Sequence, residues 1–175
     1  MARLLAITLA LILGSTGAFA SDAATPQDVI AKVKEAAAYL AENGKSGLKT
    51  LDSPDSPFVW KDSYVFVYDC EAGLADVAHP VPETKENAID QDKDASGRVI
   101  GPGLCKAAAE PNGGWFEYQW WKPVKTEDAK GLTYAKETSR KVTYMLGVKG
   151  QPYQVGAGIY NDTLSVDALN AMIEN

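Results

Sequence analysis

The sequence contains one histidine, His79, and two cysteines, Cys70 and Cys105. A tetrahedral His/Cys zinc site needs four such ligands, so that chemistry is excluded, along with every motif built on two histidines. A catalytic thiol would have only His79 as its base. Asp90, Asp92 and Asp94 alternate as at the start of a calcium loop, but Ala95 stands where that loop needs glycine and Gly101 where it needs a bidentate glutamate. The stretch is therefore read as a solvated acidic turn. Gly101-Pro102-Gly103 lacks the Lys-Ser/Thr of a phosphate loop and reads as the start of a helix. Gly-x-Ser-x-Gly and Ser-x-x-Lys nucleophile motifs are absent, and no carboxylate pair stands out among 23 acidic residues. What remains is an aromatic strand. Phe116, Tyr118 and Trp120 alternate onto one face of it, and Trp115 and Trp121 onto the other. His79, at the end of one strand, and Lys141, at the start of another, can meet those aromatics at a cavity rim. Lysine, tyrosine hydroxyl and tryptophan N–H each offer a donor, which together make a clamp for a carboxylate. The alternatives are aromatic core packing, a surface lysine and a structural histidine. If His79 donates to a bound carboxylate, affinity should fall across about pH 6 to 8; a neutral structural histidine gives flat binding.

The elements that must position these residues follow from spacing. Thr25-Pro26-Gln27-Asp28 is a helix start, and Val29, Ile30, Val33, Ala36, Ala37 and Leu40 recur at helical spacing until Asn43-Gly44. Ser53 to Pro57 is a loop, because each proline biases its predecessor away from helix. Tyr64 to Tyr68 is β-branched or aromatic throughout, and a turn at residues 71–73 leads into a second strand from Leu74 to His79. Residues 81–101 are polar and irregular, followed by a short helix from Leu104 to Glu110. Trp115 to Trp121, Lys141 to Val148 and Tyr153 to Ile159 are three further strands, the last two joined at Lys149-Gly150. Ser165 caps a final short helix with Val166, Leu169, Met172 and Ile173 on one side. This order predicts an α+β fold, an antiparallel sheet flanked by helices.

The 175 residues carry 17 basic and 23 acidic side chains, a formal charge of −6 and a sequence pI of about 4.8. Nucleic acid and anionic membrane surfaces are poor partners for such a chain. Arg3, the apolar run from Leu4 to Leu13 and Ala18-Phe19-Ala20 form a secretory signal over residues 1–20, too short to span a bilayer. Cleavage after Ala20 removes one basic residue and no acid, which leaves a charge of −7 on a single domain of residues 21–175. The expected location is periplasmic or secreted, where Cys70 and Cys105 form the available intramolecular disulfide. The negative charge opposes an anionic ligand at long range, but with a Debye length of about 8 Å local donors decide.

Tyr64-Val65-Phe66-Val67-Tyr68-Asp69, Gly73, Ala78-His79-Pro80, Gly114 to Trp120 before Pro123, Lys141-Val142-Thr143-Tyr144 and Val155 to Tyr160 stand in one order over about a hundred residues. In these blocks the chain resembles the single Cache domain, type 2. The resemblance implies a PAS-like antiparallel sheet with a long N-terminal helix, preceding a short C-terminal helix here. It also implies an extracytoplasmic sensor with a pocket for small organic acids such as acetate, propionate, pyruvate or lactate. Carried onto this sequence, the pocket would draw on Tyr64, His79, Tyr118, Trp120, Lys141 and Tyr144. Only a short helix follows Tyr160, so a free-standing exported binding protein is expected, presenting a carboxylate to a membrane receptor or histidine kinase. No cofactor and no enzymatic activity are expected. The alternatives are an interaction module with a degenerate pocket that partners a membrane receptor or kinase and, ranked below it, an enzyme using the same pocket.

Overall fold

The computed structural model describes residues 23–126 and 131–173; the signal sequence and cleavage point expected over residues 1–20 lie outside them. Helix α1 (Pro26–Asn43) has 18 residues and opens with a capping box: Thr25 and Asp28 each accept the other's backbone N–H. A 3₁₀ turn over Gly44–Gly47 and the short α2 (Leu48–Leu51) bring the chain to the sheet. The strands are β1 (Val59–Trp60), β2 (Ser63–Asp69), β3 (Leu74–Ala78), β4 (Asn87–Ala88), β5 (Gly114–Lys125), β6 (Leu132–Gly147) and β7 (Gln154–Tyr160). Helix α3 (Gly101–Ala108) precedes β5, and α4 (Val166–Ala171), capped by the Ser165 hydroxyl, follows β7. The sheet runs β4-β3-β2-β7-β6-β5, antiparallel throughout, with β1 paired to β2. The α+β, PAS-like architecture with a long N-terminal and a short C-terminal helix is the observed one.

Strand alternation divides the core in two. Val65, Val67, Val142, Tyr144, Val155, Ala157 and Ile159 face α1, whose Val29, Val33, Ala36 and Leu40 are fully buried against them. Tyr64, Phe66, Tyr68, Tyr118 and Met145 point to the opposite face, beneath Ile100 and Leu104 of the α3 region. Both layers meet on β2, which is why its sequence is apolar without alternation. The Cys70–Cys105 disulfide, with Cα atoms 5.9 Å apart, joins the end of β2 to α3 and pins that helix over the second layer.

Three local expectations change. Lys141 does not begin its strand: β6 starts at Leu132, and its first half is polar because it lies in the largely exposed end of the β5–β6 hairpin. The α3 helix starts three residues earlier than its apolar spacing suggests, with Pro102 in its first turn. The acidic turn is not solvated as a whole. Asp90 is exposed, but Asp92 and Asp94 are buried. Asp94 accepts hydrogen bonds from Ser96 N, Ser96 Oγ, Arg98 N and Gln119 N, and Ala95 N donates to Gln119 O. Together with Arg98, which donates to Glu117 O, and Asn170, whose side chain accepts from Trp115 N, this loop covers the outer edge of β5.

Candidate functional site

A small chamber of about 10 Å³ lies inside the second layer, lined by Tyr64, Phe66, Tyr68, Asp76, His79, Ile100, Tyr118, Trp120 and Lys141. Its central group is the Lys141 ammonium. The side chain is 1% exposed, and Nζ donates to Tyr64 Oη at 3.1 Å. Four rings surround it, with Nζ 4.4 Å from the Tyr64 centroid, 5.4 Å from Phe66, 5.7 Å from Tyr160 and 5.8 Å from Tyr118. Among the described residues no ion pair joins it to a carboxylate. Burial pushes its pKa down to about 7, partly opposed by the Asp76 charge. The backbone has been cleared to admit this stem, since a Cβ on Gly158 of β7 would lie 2.8 Å from Lys141 Cε.

Tyr64 Oη continues from Lys141 to Tyr134 Oη at 3.4 Å, and Tyr134 Oη reaches Thr84 Oγ1 at 2.7 Å and His79 Nε2 at 3.4 Å. His79 Nδ1 accepts from Val81 N at 3.1 Å, which places the proton of the neutral ring on Nε2. Burial, and then the Lys141 charge, hold its pKa well below the ordinary histidine value. The ring is therefore both a cavity wall and a neutral group that ties down the turn after Pro80. Titration of His79 between pH 6 and 8 does not follow from this environment. Tyr118 Oη accepts from Thr143 Oγ1 at 3.1 Å, and the Trp120 Nε1 hydrogen, shielded from solvent, meets no acceptor.

Of the six binding residues expected from sequence, Tyr64, His79, Tyr118, Trp120 and Lys141 come together. Tyr144 does not. It lies three residues from Lys141 on one strand, and a period of two sends the side chains to opposite faces. Its ring packs with Trp115 in the α1 layer, and its hydroxyl donates to Asn112 O at 2.6 Å.

Asp76 was not legible as part of this group. It is 8% exposed in β3, and no hydrogen bond from the described residues reaches its carboxyl. A register shift between Val67 and Asp69 and a φ of 53° at Asp76 mark a bulge, so that Ala75 and Asp76 are both buried where alternation would turn one outward. Burial raises its pKa well above the carboxylate range; Asp92 adds to the shift and Lys141 opposes it. Asp92 accepts from the Tyr68 hydroxyl. The one sequence signal for Asp76 is an acid inside an otherwise apolar strand.

Asp76 and Trp120 also line an outer groove of about 520 Å³, with Glu83, Asn87, Asp92, Trp121 and Tyr134. Chamber and groove are thus adjacent compartments that share two walls. A larger surface groove, about 590 Å³, lies between α3 and α4, but no buried charge lines it.

Comparison with known proteins agrees with this architecture. The chain is similar in structure to a methyl-accepting chemotaxis protein from Vibrio parahaemolyticus, with a TM-score of 0.56 at 19% identity over 78% of this chain and 88% of that one. A periplasmic sensor domain of a chemotaxis protein aligns with a TM-score of 0.47 at 16% identity, covering 78% and 90% of the two chains. A domain described under "carboxylic acid recognition by a Cache chemosensory domain" aligns with a TM-score of 0.47 at 14% identity, covering 78% and 88%. No curated protein matches the chain. Residues 55–172, from the loop before β1 to the end of α4, match the Cache domain model, so the chain belongs to the Cache domain family, as a single domain of type 2.

Proposed function

We propose that the protein is an exported sensory module that captures a small carboxylate through Lys141, Tyr64, Tyr118, His79 and Trp120. Cache sensory domains bind ligands rather than transform them, and the proposal is accordingly capture without catalysis. One observation carries it: an ammonium group is buried with a single hydrogen-bonding partner and no ion-paired carboxylate. Isolating a charge in that way costs several kcal/mol, and a bound anion would remove most of the cost. The donors around the chamber suit a carboxylate: Lys141 Nζ, the His79 Nε2 hydrogen, the tyrosine hydroxyls and the unbonded Trp120 Nε1. Periplasmic or secreted location, release of residues 1–20 and delivery of the ligand state to a membrane receptor or histidine kinase complete the reading. Intact mass of exported material should start at Ser21.

The 10 Å³ interior favours a second reading, since that volume holds about one water molecule. On it, the chamber is permanently closed and the module acts through its surface on a membrane partner. A thermal-shift screen against acetate, propionate, pyruvate and lactate separates the two. A ligand at 100 times its dissociation constant adds about 2.7 kcal/mol, enough to move the transition by several degrees. No shift with any of them, together with no heat on titration, rejects carboxylate capture.

A further inference from the structure

The chamber presents a cation on one side and an acid on the other. Lys141 stands on β6 and Asp76 on the bulge of β3, both line the same space, and they form no ion pair with each other. From these residues, and resting on the carboxylate reading above, we propose that the ligand is a small zwitterion, a molecule bearing a carboxylate and a protonated amine. The carboxylate binds at Lys141 and Tyr64. The ammonium binds at Asp76, on the boundary with the outer groove.

Four observations place a cation at that boundary. Asp76 is more than nine-tenths buried, and its carboxyl receives no hydrogen bond from the described residues. Asn87, one of the groove's lining residues, has an Oδ1 shielded from solvent that accepts no hydrogen bond, while its Nδ2 is committed to Lys85 O at 3.2 Å. Two unused oxygen acceptors thus line the groove, and ammonium offers three donors. Trp120, Trp121 and Tyr134 form the adjoining walls, with Trp120 edge-on to Tyr134 at 6.1 Å between centroids, and aromatic faces attract cations. Asp92 and Glu83 add acceptor charge nearby, whereas the groove's lysines, Lys85, Lys93 and Lys136, lack the burial of Lys141. A plain carboxylate would satisfy Lys141 and leave the Asp76 carboxyl and Asn87 Oδ1 unpartnered in a site now closed to water. That pattern of loss is what lets a polar site reject an analogue lacking one group. Seating the carboxylate beside Lys141 requires the Trp120 ring, which lines both the chamber and the groove, to turn towards the groove.

The test is calorimetric titration of the full chain with matched pairs: glycine against acetate, alanine against propionate and γ-aminobutyrate against butyrate, with ethylamine as the amine alone. At least one amino acid should bind tenfold or more tightly than its deaminated partner. In Asp76→Asn, which keeps shape and removes the ionisable acid, that ratio should fall to about threefold or less. Asn87→Ala should likewise lower the amino-acid preference severalfold, and it keeps the proposal testable if Asp76→Asn fails to fold. Carboxylates that bind without any preference for the amino form overturn the zwitterion and leave the carboxylate reading standing. Ethylamine binding as tightly as the amino acids overturns the carboxylate reading instead. Silence from every probe overturns both.

Discussion

Replacing Lys141 by methionine should make the protein more stable while removing its affinity for anions. The stem survives in methionine, so packing against Gly158 and the Tyr64 ring is kept; what disappears is the buried charge. The lysine pKa falls from 10.5 to about 7 in the folded chain. At about 1.4 kcal/mol per unit, holding the ammonium charged in the fold costs about 5 kcal/mol relative to the unfolded chain. Between those two values the unfolded chain holds a proton that the folded chain lacks. Stability therefore rises with pH across that window, and the full cost is present below pH 7. Methionine also forfeits the hydrogen bond to Tyr64 and the ring contacts, and it leaves Asp76 without the opposing charge, so a net gain of about 2 kcal/mol at pH 7 is expected. For a domain of this size that raises the melting temperature by about 4–8 °C. Urea unfolding of wild type and Lys141→Met at unit steps from about pH 6 to pH 10 gives the difference curve. The variant's advantage should shrink as pH rises and vanish near the upper end. A variant less stable than wild type at pH 7, or an advantage that does not change with pH, would refute the account of Lys141 as a destabilised, functional cation.

Carboxylate affinity should be highest below pH 7 and decline as pH rises, because a bound anion lifts the Lys141 pKa above its free value of about 7. Since His79 stays neutral, the slope should persist in His79→Gln; its loss there, measured by calorimetry, would return the titration to histidine. Gly158→Ala should cost about 1–3 kcal/mol and weaken binding, because the new methyl meets Thr143 Oγ1 at 2.5 Å, Val142 O at 2.7 Å and Lys141 Cε at 2.8 Å. An unaltered denaturation midpoint would show that all three neighbours yield freely. Reducing Cys70–Cys105, a separation of 35 residues, should remove about 3–4 kcal/mol and loosen α3 first. Hydrogen exchange confined elsewhere than residues 101–108 would contradict the role given to the bridge.

Much of the fold lies in local chemistry that a sequence displays. Thr25 and Asp28 announce α1 because a capping box is a contact between residues three apart, and Ser165 announces α4 for the same reason. Alternation sorts Phe116, Tyr118 and Trp120 from Trp115 correctly, but Trp121, expected on the side of Trp115, lines the outer groove beside Trp120, where the β5–β6 register shifts. Applied equally to Lys141 and Tyr144, it would have separated them as well; grouping the two by motif obscured a parity that forbids their meeting. Asp76 is a different case, since its direction depends on a bulge, and a bulge depends on how β2 and β3 pair. The same holds for Asp92 and Asp94, whose burial follows from Gln119 and Tyr68, residues distant in sequence. Tyr134 carries no sequence signal, because its strand is polar over the half that leaves the core, although its hydroxyl links Tyr64, Thr84 and His79.

The covering of β5 bears on how this protein behaves at high concentration. A terminal strand with free N–H and C=O groups is a template on which a second molecule can extend the sheet, and repetition of that step leads to fibres. Here the Trp115 and Gln119 amides and the Glu117 and Gln119 carbonyls already have partners in Asn170, Asp94, Arg98 and Ala95. Strand addition along residues 115–119 would have to displace the acidic loop and part of α4. The first half of β5 can therefore carry a row of large aromatics without exposing an open ladder for self-assembly.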